Sequence, residues 1–308
     1  MIPQNAIWGI VLFAALSSCS SGIKENPTDT ATTGETKIAV DESYSLLFDT
    51  EIFTFQALYK YAKVNVRYLP EELAMQELLN DSVRFAVVCR QLNENEKKYF
   101  ASRRLIPRLL KIASDAACLI VHPSNPDSLF TMPRLHEIFS GRDSLWKARE
   151  GKSEKIKLVF DHPLSANARF LREKLLDGRP LPSNAYALSS SRAVVDFVNQ
   201  NPGAIGIISV NWISDRDDSI SRGFLNKVKV AAISSGVDGE FVRPWQAYIK
   251  TGKYPLCRDV FIVSREARAG LATGFSAFVA GDKGQLIILK AGLVPAVAPV
   301  RIVEVKNK

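Results

Sequence analysis

The chain has 308 residues, 46% of them hydrophobic, and carries a net charge of +8 from 40 basic and 32 acidic side chains. That apolar content supports a substantial core, in one large domain or two smaller ones, and excludes a disordered chain. Positive charge is thinly spread, densest at Lys97-Lys98, Arg103-Arg104 and Lys155/Lys157; no basic stripe interleaves with aromatics, which argues against nucleic acid as a partner.

An apolar run from Ile7 to Leu16 leads into Leu16-Ser17-Ser18-Cys19. Small residues before a cysteine at this distance from the start form a lipobox, the mark of a bacterial lipoprotein signal, and the run is too short to span a membrane. No Lys or Arg precedes it, so either the signal is atypical or the true start lies upstream. Cys19 is expected to be lipidated, holding the chain to the cell envelope on its periplasmic side or on the outer surface. Residues 20–36 are mostly Ser, Thr, Gly, Asn, Asp and Pro and read as a flexible tether. Of the remaining cysteines, Cys89 and Cys118 sit in apolar runs and Cys257 stands apart. Their spacing fits no metal or redox site, and Cys89 and Cys118 are expected to be buried free thiols.

From Lys37 the pattern alternates strand and helix. Lys37–Val40 reads as a strand, Asp49–Ala62 as a helix, Val64–Tyr68 as a strand, Pro70–Leu79 as a helix and Val83–Cys89 as a third strand. Two successive βαβ crossovers imply a parallel sheet, hence an α/β fold. After a helix over Asn93–Arg103 comes an extended stretch from Leu109 to His122, longer than an ordinary strand and suited to run from one domain into another. Thr131–Phe139 reads as a helix, Lys155–Phe160 as a strand, Ala168–Leu176 and Ser189–Asn199 as helices and Ala204–Ser209 as a buried strand. Val228–Ile233 and Ala247–Lys250 are weaker strand candidates, Val260–Val263 is a clear one, and two helices cover Gly270–Ala280 and Asp282–Ala291.

Ligands of open parallel sheets bind beyond the carboxyl ends of the strands. Three loops occupy such ends: Asp41-Glu42-Ser43-Tyr44, Arg90-Gln91-Leu92 and Asp161 to Asn167. The last is followed directly by a helix, whose first turn offers unpaired N–H groups and the positive end of a dipole. Ser165 and Asn167 add donors there and Arg169 a fixed charge able to grip an oxyanion; alternatively Ser165 or Asn167 only caps the helix.

Motifs in order carry a resemblance. His122-Pro-Ser-Asn-Pro-Asp127, Leu135-His-Glu-Ile-Phe-Ser-Gly141 with Trp146, Asn201-Pro-Gly-Ala-Ile-Gly206, Tyr254-Pro-Leu-Cys-Arg258 and Gly284-Gln285 through Pro295 resemble the periplasmic phosphate-binding proteins of ABC transporters, the PstS-like branch of the type II solute-binding fold. The resemblance implies two lobes built of mixed, mostly parallel sheets with helices on both faces, and a cleft between them. Lobe one would span 37–114 and 255–308, lobe two 115–254. It also implies a monomer that is a binding protein, not an enzyme, and that works without cofactor or metal. Its ligand would be phosphate or a similar oxyanion and its partner an ABC permease or another envelope complex. Candidate ligand residues are Glu42, Ser43, Tyr44, Arg90, Asp161, Ser165, Ala166, Asn167 and Arg169. At these loops the pattern departs from the family: Ser165-Ala166-Asn167 answers its S-G-T, Val88-Cys-Arg-Gln-Leu92 its S-x-R-P-L, and Asp41-Glu42-Ser43-Tyr44 its Gly-rich first loop. A carboxylate beside an anion costs affinity unless it accepts a proton from the ligand, which phosphate can offer at neutral pH and sulfate cannot. Two acids imply one such acceptor with the other turned away, or a changed ligand.

Two further readings remain. One is a cysteine enzyme drawing on His122, His136 or His162, of which His162 lies at the cleft. The other is a sensor or adaptor of an envelope assembly on the same fold, with altered or lost phosphate binding.

Overall fold

A computed structural model of the chain describes residues 29–146, 154–214 and 219–297; the lipobox and Cys19 lie outside them. Lobe one opens with β1 (Gly34–Asp41), a 3-10 turn over Glu42–Tyr44, α1 (Ser45–Leu58), β2 (Ala62–Leu69), α2 (Glu71–Leu79), β3 (Phe85–Val88) and α3 (Glu94–Ser102). β1 lies parallel to β2 on one side and to β3 on the other, so both crossovers are of the expected kind. The helix after β1 begins earlier than periodicity indicates. The first turn, Ser45-Leu46-Leu47-Phe48, follows directly on the 3-10 turn, and its consecutive apolar residues mask the helical period. Asn93 and Glu96 form a reciprocal capping box at α3, satisfying two otherwise unpaired N–H groups.

β4 (Arg108–Val121) runs through both halves of the molecule. Its residues 108–116 pair antiparallel with a strand late in the chain, and Ala117–Val121 pair antiparallel with a strand of lobe two. Beyond it come β5 (Leu129–Thr131), α4 (Met132–Phe139), β6 (Lys157–Phe160), α5 (Ala166–Leu176), β7 (Ala185–Ala187), α6 (Ser191–Gln200) and β8 (Ala204–Ser209). The order across this sheet is β4-β8-β6-β7, with β6 parallel to both neighbours. The short elements α7 (Asn211–Ser214), α8 (Ser219–Leu225), β9 (Lys229–Val230), β10 (Ala232–Ser234) and α9 (Gln246–Lys250) follow. The single strand expected over Val228–Ile233 is two, because β9 pairs with β4 while β10 pairs with β5 in a separate sheet.

Ala247–Lys250 is helical, not a strand. Trp245 opens a single turn in which Tyr248 and Ile249 both donate to its carbonyl, and only Ile249 of the five residues is buried. So short an amphipathic segment cannot be told from a strand by period alone.

The chain returns to lobe one as β11 (Cys257–Ser264), wedged antiparallel between β3 and β4. It closes with α10 (Leu271–Ala280), α11 (Asp282–Lys290) and β12 (Val294–Pro295), the last on β4. α10 covers the sheet with Phe275, whose ring meets Phe48, Phe55 and Phe85 at centroid distances of 6.4, 5.1 and 6.1 Å. Each such buried ring contributes roughly 1.5–3 kcal/mol through apolar area removed from water. The result is a two-lobed α/β molecule whose lobes share β4 and lie against each other where β1, β3 and β6 end.

Candidate functional site

The first loop grows directly out of β1. Asp41 ends that strand, and its Oδ1 accepts the Ser43 N–H at 2.9 Å, capping the 3-10 turn. Its Oδ2 accepts the backbone N–H of Ala166, the first residue of α5 on the other lobe, at 3.3 Å. Glu42 makes a parallel contact: its Oε2 accepts both the N–H and the Oγ of Ser191, at 3.1 and 2.9 Å, at the start of α6. The two adjacent acids therefore rest on two helix N-termini of lobe two, where negative charge is favoured. Trp212 Nε1 donates to the Ser43 carbonyl at 2.8 Å and holds the loop from a third side.

The facing loop is built on Asp161 at the end of β6. Oδ1 accepts Ser165 Oγ at 2.5 Å and its neighbour His162 N–H at 3.1 Å; Oδ2 accepts Asn167 Nδ2 at 2.9 Å and Ser43 Oγ at 3.3 Å. Ser165 Oγ also accepts the Ala168 N–H at 3.2 Å, so it caps α5 and lines the cleft together. Asn167 Oδ1 is buried without a partner.

Arg169, one turn into α5, reaches across the cleft to Glu71 at the start of α2, with Nη2 also donating to the Cys89 carbonyl at 3.2 Å. Glu71 is fully buried and additionally accepts the Cys89 N–H at 2.6 Å. Arg90 turns the other way and forms a bidentate pair with Glu96, both bonds 2.7 Å, with Glu71 3.7 Å from its Nε.

Beneath the loops, where β4 passes between lobes, Asp115 accepts from the Val210 N–H at 3.3 Å and from three side chains. Tyr44 Oη donates to it at 2.7 Å, Ser209 Oγ at 2.8 Å and Arg258 Nε at 3.0 Å. Arg258 Nη2 lies 2.9 Å from the same carboxylate, an ion-pair distance without hydrogen-bond alignment, and Nη1 has no partner. Phe170 of α5 lies under this guanidinium at 5.8 Å.

Burial first, then the charges of Asp161 and Glu71, push the Asp41 carboxyl up to about 7. Burial likewise carries Glu42 to about 7 and raises Asp161 against the pull of its own hydrogen bonds. The Cys89 thiol, sharing a 2.7 Å bond with Tyr44 Oη, is driven well above its ordinary value by burial and stays protonated at neutral pH. Such a thiol is no nucleophile, and His162 Nδ1 is engaged by the Leu164 N–H at 3.1 Å. Among the described residues no group of three or more His, Cys, Asp and Glu side chains could hold a metal ion.

Of the expected residues, Ser43, Asp161, Ser165, Ala166 and Asn167 meet in one hydrogen-bonded cluster across the cleft, and Glu42 and Arg169 bridge the lobes beside it. Tyr44 points down to Asp115, and Arg90 is held within lobe one. Sequence reading missed Glu71, Asp115 and the part played by Arg258. Their partners lie 98, 94 and 143 residues away, and no local pattern signals such pairs.

A family model described as a PBP superfamily domain matches residues 25–283. The chain belongs to that superfamily. Within it, the chain is 27% identical over 217 residues to the phosphate-binding protein PstS of Staphylococcus saprophyticus, covering 68% of this chain and 64% of that protein. With PstS of Bacillus subtilis it shares 28% over 202 residues, 65% of this chain and 61% of the relative. The chain thus spans a little under two thirds of these two relatives. The fold is that of a phosphate ABC transporter substrate-binding protein from Clostridium perfringens solved with bound phosphate: TM-score 0.72 at 19% identity, over 85% of this chain and all (100%) of that one. The superfamily and the two-lobed fold agree with the likeness drawn from the ordered motifs.

Proposed function

We propose that this protein is a lipid-tethered solute-binding protein that captures an oxyanion, phosphate before others, between its lobes for ABC-type uptake. The observation that carries the reading is Arg258. Its guanidinium is buried, its Nη1 is unpartnered, and it sits close enough to Asp41 and Asp161 to bias both carboxyls. An orphaned cationic donor under a helix N-terminus is a site that an oxyanion satisfies. Relatives named phosphate-binding proteins support phosphate as the ligand. The lobe boundaries, 37–114 with 255–308 and 115–254, are supported by β4 changing partner between Ala116 and Ala117. Ser43, Ser165, Ala166, Asn167 and Arg169 are the contacts, with Tyr44 and Arg90 behind them. Asp161 orients Ser165 and Asn167. Cys19 is the anchor.

Asp41 favours a second reading. Its carboxylate already accepts the Ala166 N–H, so the chain supplies its own anion at α5. On that reading the closed form needs no solute, and the protein serves an envelope assembly as a sensor or adaptor.

Calorimetry with phosphate at pH 6 and pH 8 separates the two. A protonated Asp41 repels an anion less, and its carboxyl titrates at about 7. Affinity is therefore expected to rise as pH falls through 7. Asp41→Asn should bind about tenfold tighter than the parent at pH 8, the equivalent of one pKa unit of charge interaction, and should lose most of the difference in pH response. If neither protein binds phosphate, sulfate or another oxyanion at either pH, uptake is the wrong reading and the adaptor stands.

A further inference from the structure

Away from the cleft, at the edge of lobe one where the described chain begins, basic and apolar side chains are exposed together. Ile106 is 92% exposed, in the run Arg103-Arg104-Leu105-Ile106-Pro107-Arg108. Its exposure is built by the turn that ends α3. Arg104 takes the left-handed conformation at φ 54°, its N–H bonds the Ala101 carbonyl, and the Leu105 N–H bonds the Phe100 carbonyl. This is a Schellman closure, in which Leu105 folds back onto the core beside Phe100 and the next residue is thrown outward. Glycine is the undemanding residue at such a position, yet this chain keeps an arginine there.

The loop has basic company. Leu105 lines a shallow pocket of about 310 Å³ with Arg84, Arg265 and Arg268, and Arg108 is registered opposite Ser264, next to Arg265. Asp81 pairs with Arg84 and with Arg265, whose side chain is only 10% exposed, and Asp29 pairs with Arg268; Arg103, Arg104 and Arg108 are the exposed cations around Ile106. Asp29 is also where the described chain starts; it pairs with Arg268 at 2.8 Å and accepts the Leu271 N–H at 2.8 Å. Whatever holds the preceding residues therefore holds this edge. Nine residues separate Cys19 from Asp29, a reach of at most roughly 35 Å when fully extended.

We infer that this edge docks on an anionic lipid surface, with Ile106 inserted at the headgroup level and Arg103, Arg104 and Arg108 against lipid phosphates. The inference rests on the lipidation of Cys19 for its geometry, and on charge and exposure for its chemistry. An apolar tip ringed by arginines matches an interface that is negative at its surface and apolar just beneath. Docking would turn lobe one toward the bilayer and fix how the cleft faces any membrane partner.

The full chain, bound to vesicles with a polarity-sensitive dye at Ile106→Cys, tests this. The control carries the dye at Tyr186→Cys, exposed on lobe two, and emission from the protein's own cysteines is subtracted. In phosphatidylglycerol vesicles the dye at 106 should shift to the blue and be quenched by nitroxide lipid, while the dye at 186 stays aqueous. Raising salt from about 0.1 M to about 1 M, which shortens the screening length from about 10 to 3 Å, should reverse the shift. Adding Arg104→Gly should reduce insertion while raising Tm, because it relieves the left-handed backbone as it removes the charge. An aqueous signal at 106, or equal insertion into phosphatidylcholine, overturns the proposal. Mass spectrometry of Cys19 tests the anchor separately; with that residue unacylated, the same dye comparison is made on chain added to vesicles from outside.

Discussion

Glu51 enters the interior of lobe one from α1 with both carboxyl oxygens buried and unpartnered. Burial alone carries its carboxyl to about 9, so the native state holds a proton that the unfolded chain gives up near 4.5. With the folded value raised, the stability linked to this group is complete below about 4.5 and is lost as pH rises through 9. Glu51→Met, of similar length and without polar atoms, should stabilise the protein by about 1–3 kcal/mol in melts at pH 8, with a smaller gain at pH 5. An equal gain at both values would mean that ionisation is not the source of the cost. Nothing local betrays Glu51, because it occupies an ordinary position of an amphipathic helix. Ser165, by contrast, was legible as an N-cap from its neighbours, since capping is chemistry within one turn. Whether the same hydroxyl also faces a ligand depended on Asp161 and on the opposite lobe.

Elements with a clear period and firm boundaries were read well. β8 is bounded as expected at Ala204–Ser209, and the extended stretch around Ser114 is one strand serving two sheets. Errors fell on the ends of α1, which runs Ser45–Leu58, on single-turn helices, and on strands of two or three residues, whose existence depends on a neighbour to pair with. α9 is the clearest case, being held by Gln246, whose Nε2 donates to the carbonyls of Leu289 and Leu293 at 2.7 and 2.8 Å. Gly206 shows how tightly an element can be fitted. A Cβ there would lie 2.6 and 2.8 Å from Val198 and Val194 of α6 and 2.9 Å from Ile120 of β4. Gly206→Ala should lower stability by about 1–3 kcal/mol through overpacking, seen as a lower denaturant midpoint with an unchanged slope. Wild-type stability would show that α6 moves outward more readily than its buried valines suggest.

For the whole molecule, closure is held by charged pairs that neither lobe owns. Arg169 and Glu71 are nearly fully buried, with side chains 9% and 0% exposed, so removing Arg169 leaves the Glu71 charge in a low-dielectric site with Arg90, 3.7 Å away, opposite it. Arg169→Met should cost the closed form about 3–5 kcal/mol and enlarge the radius of gyration in X-ray scattering. Adding Glu71→Gln should recover part of that loss, because no charge is then left unpaired. If the single variant scatters like the parent, the clamps at Asp41 and Glu42 suffice to hold the lobes together. The amino-acid sequence by itself determined the α/β class, the two crossovers, the strand long enough for both lobes, the buried thiols and the capped helix at the cleft. All of these follow from periodicity, caps and composition within a few turns of chain. Only the tertiary structure decided what the acids do: Asp41 and Glu42 rest on helices of the other lobe, Glu71 meets Arg169, and Arg258 is left with an unpartnered donor beneath them. The physical reason is that an ion pair or a helix dipole acts through space, and residues about a hundred positions apart carry no local sign of their meeting.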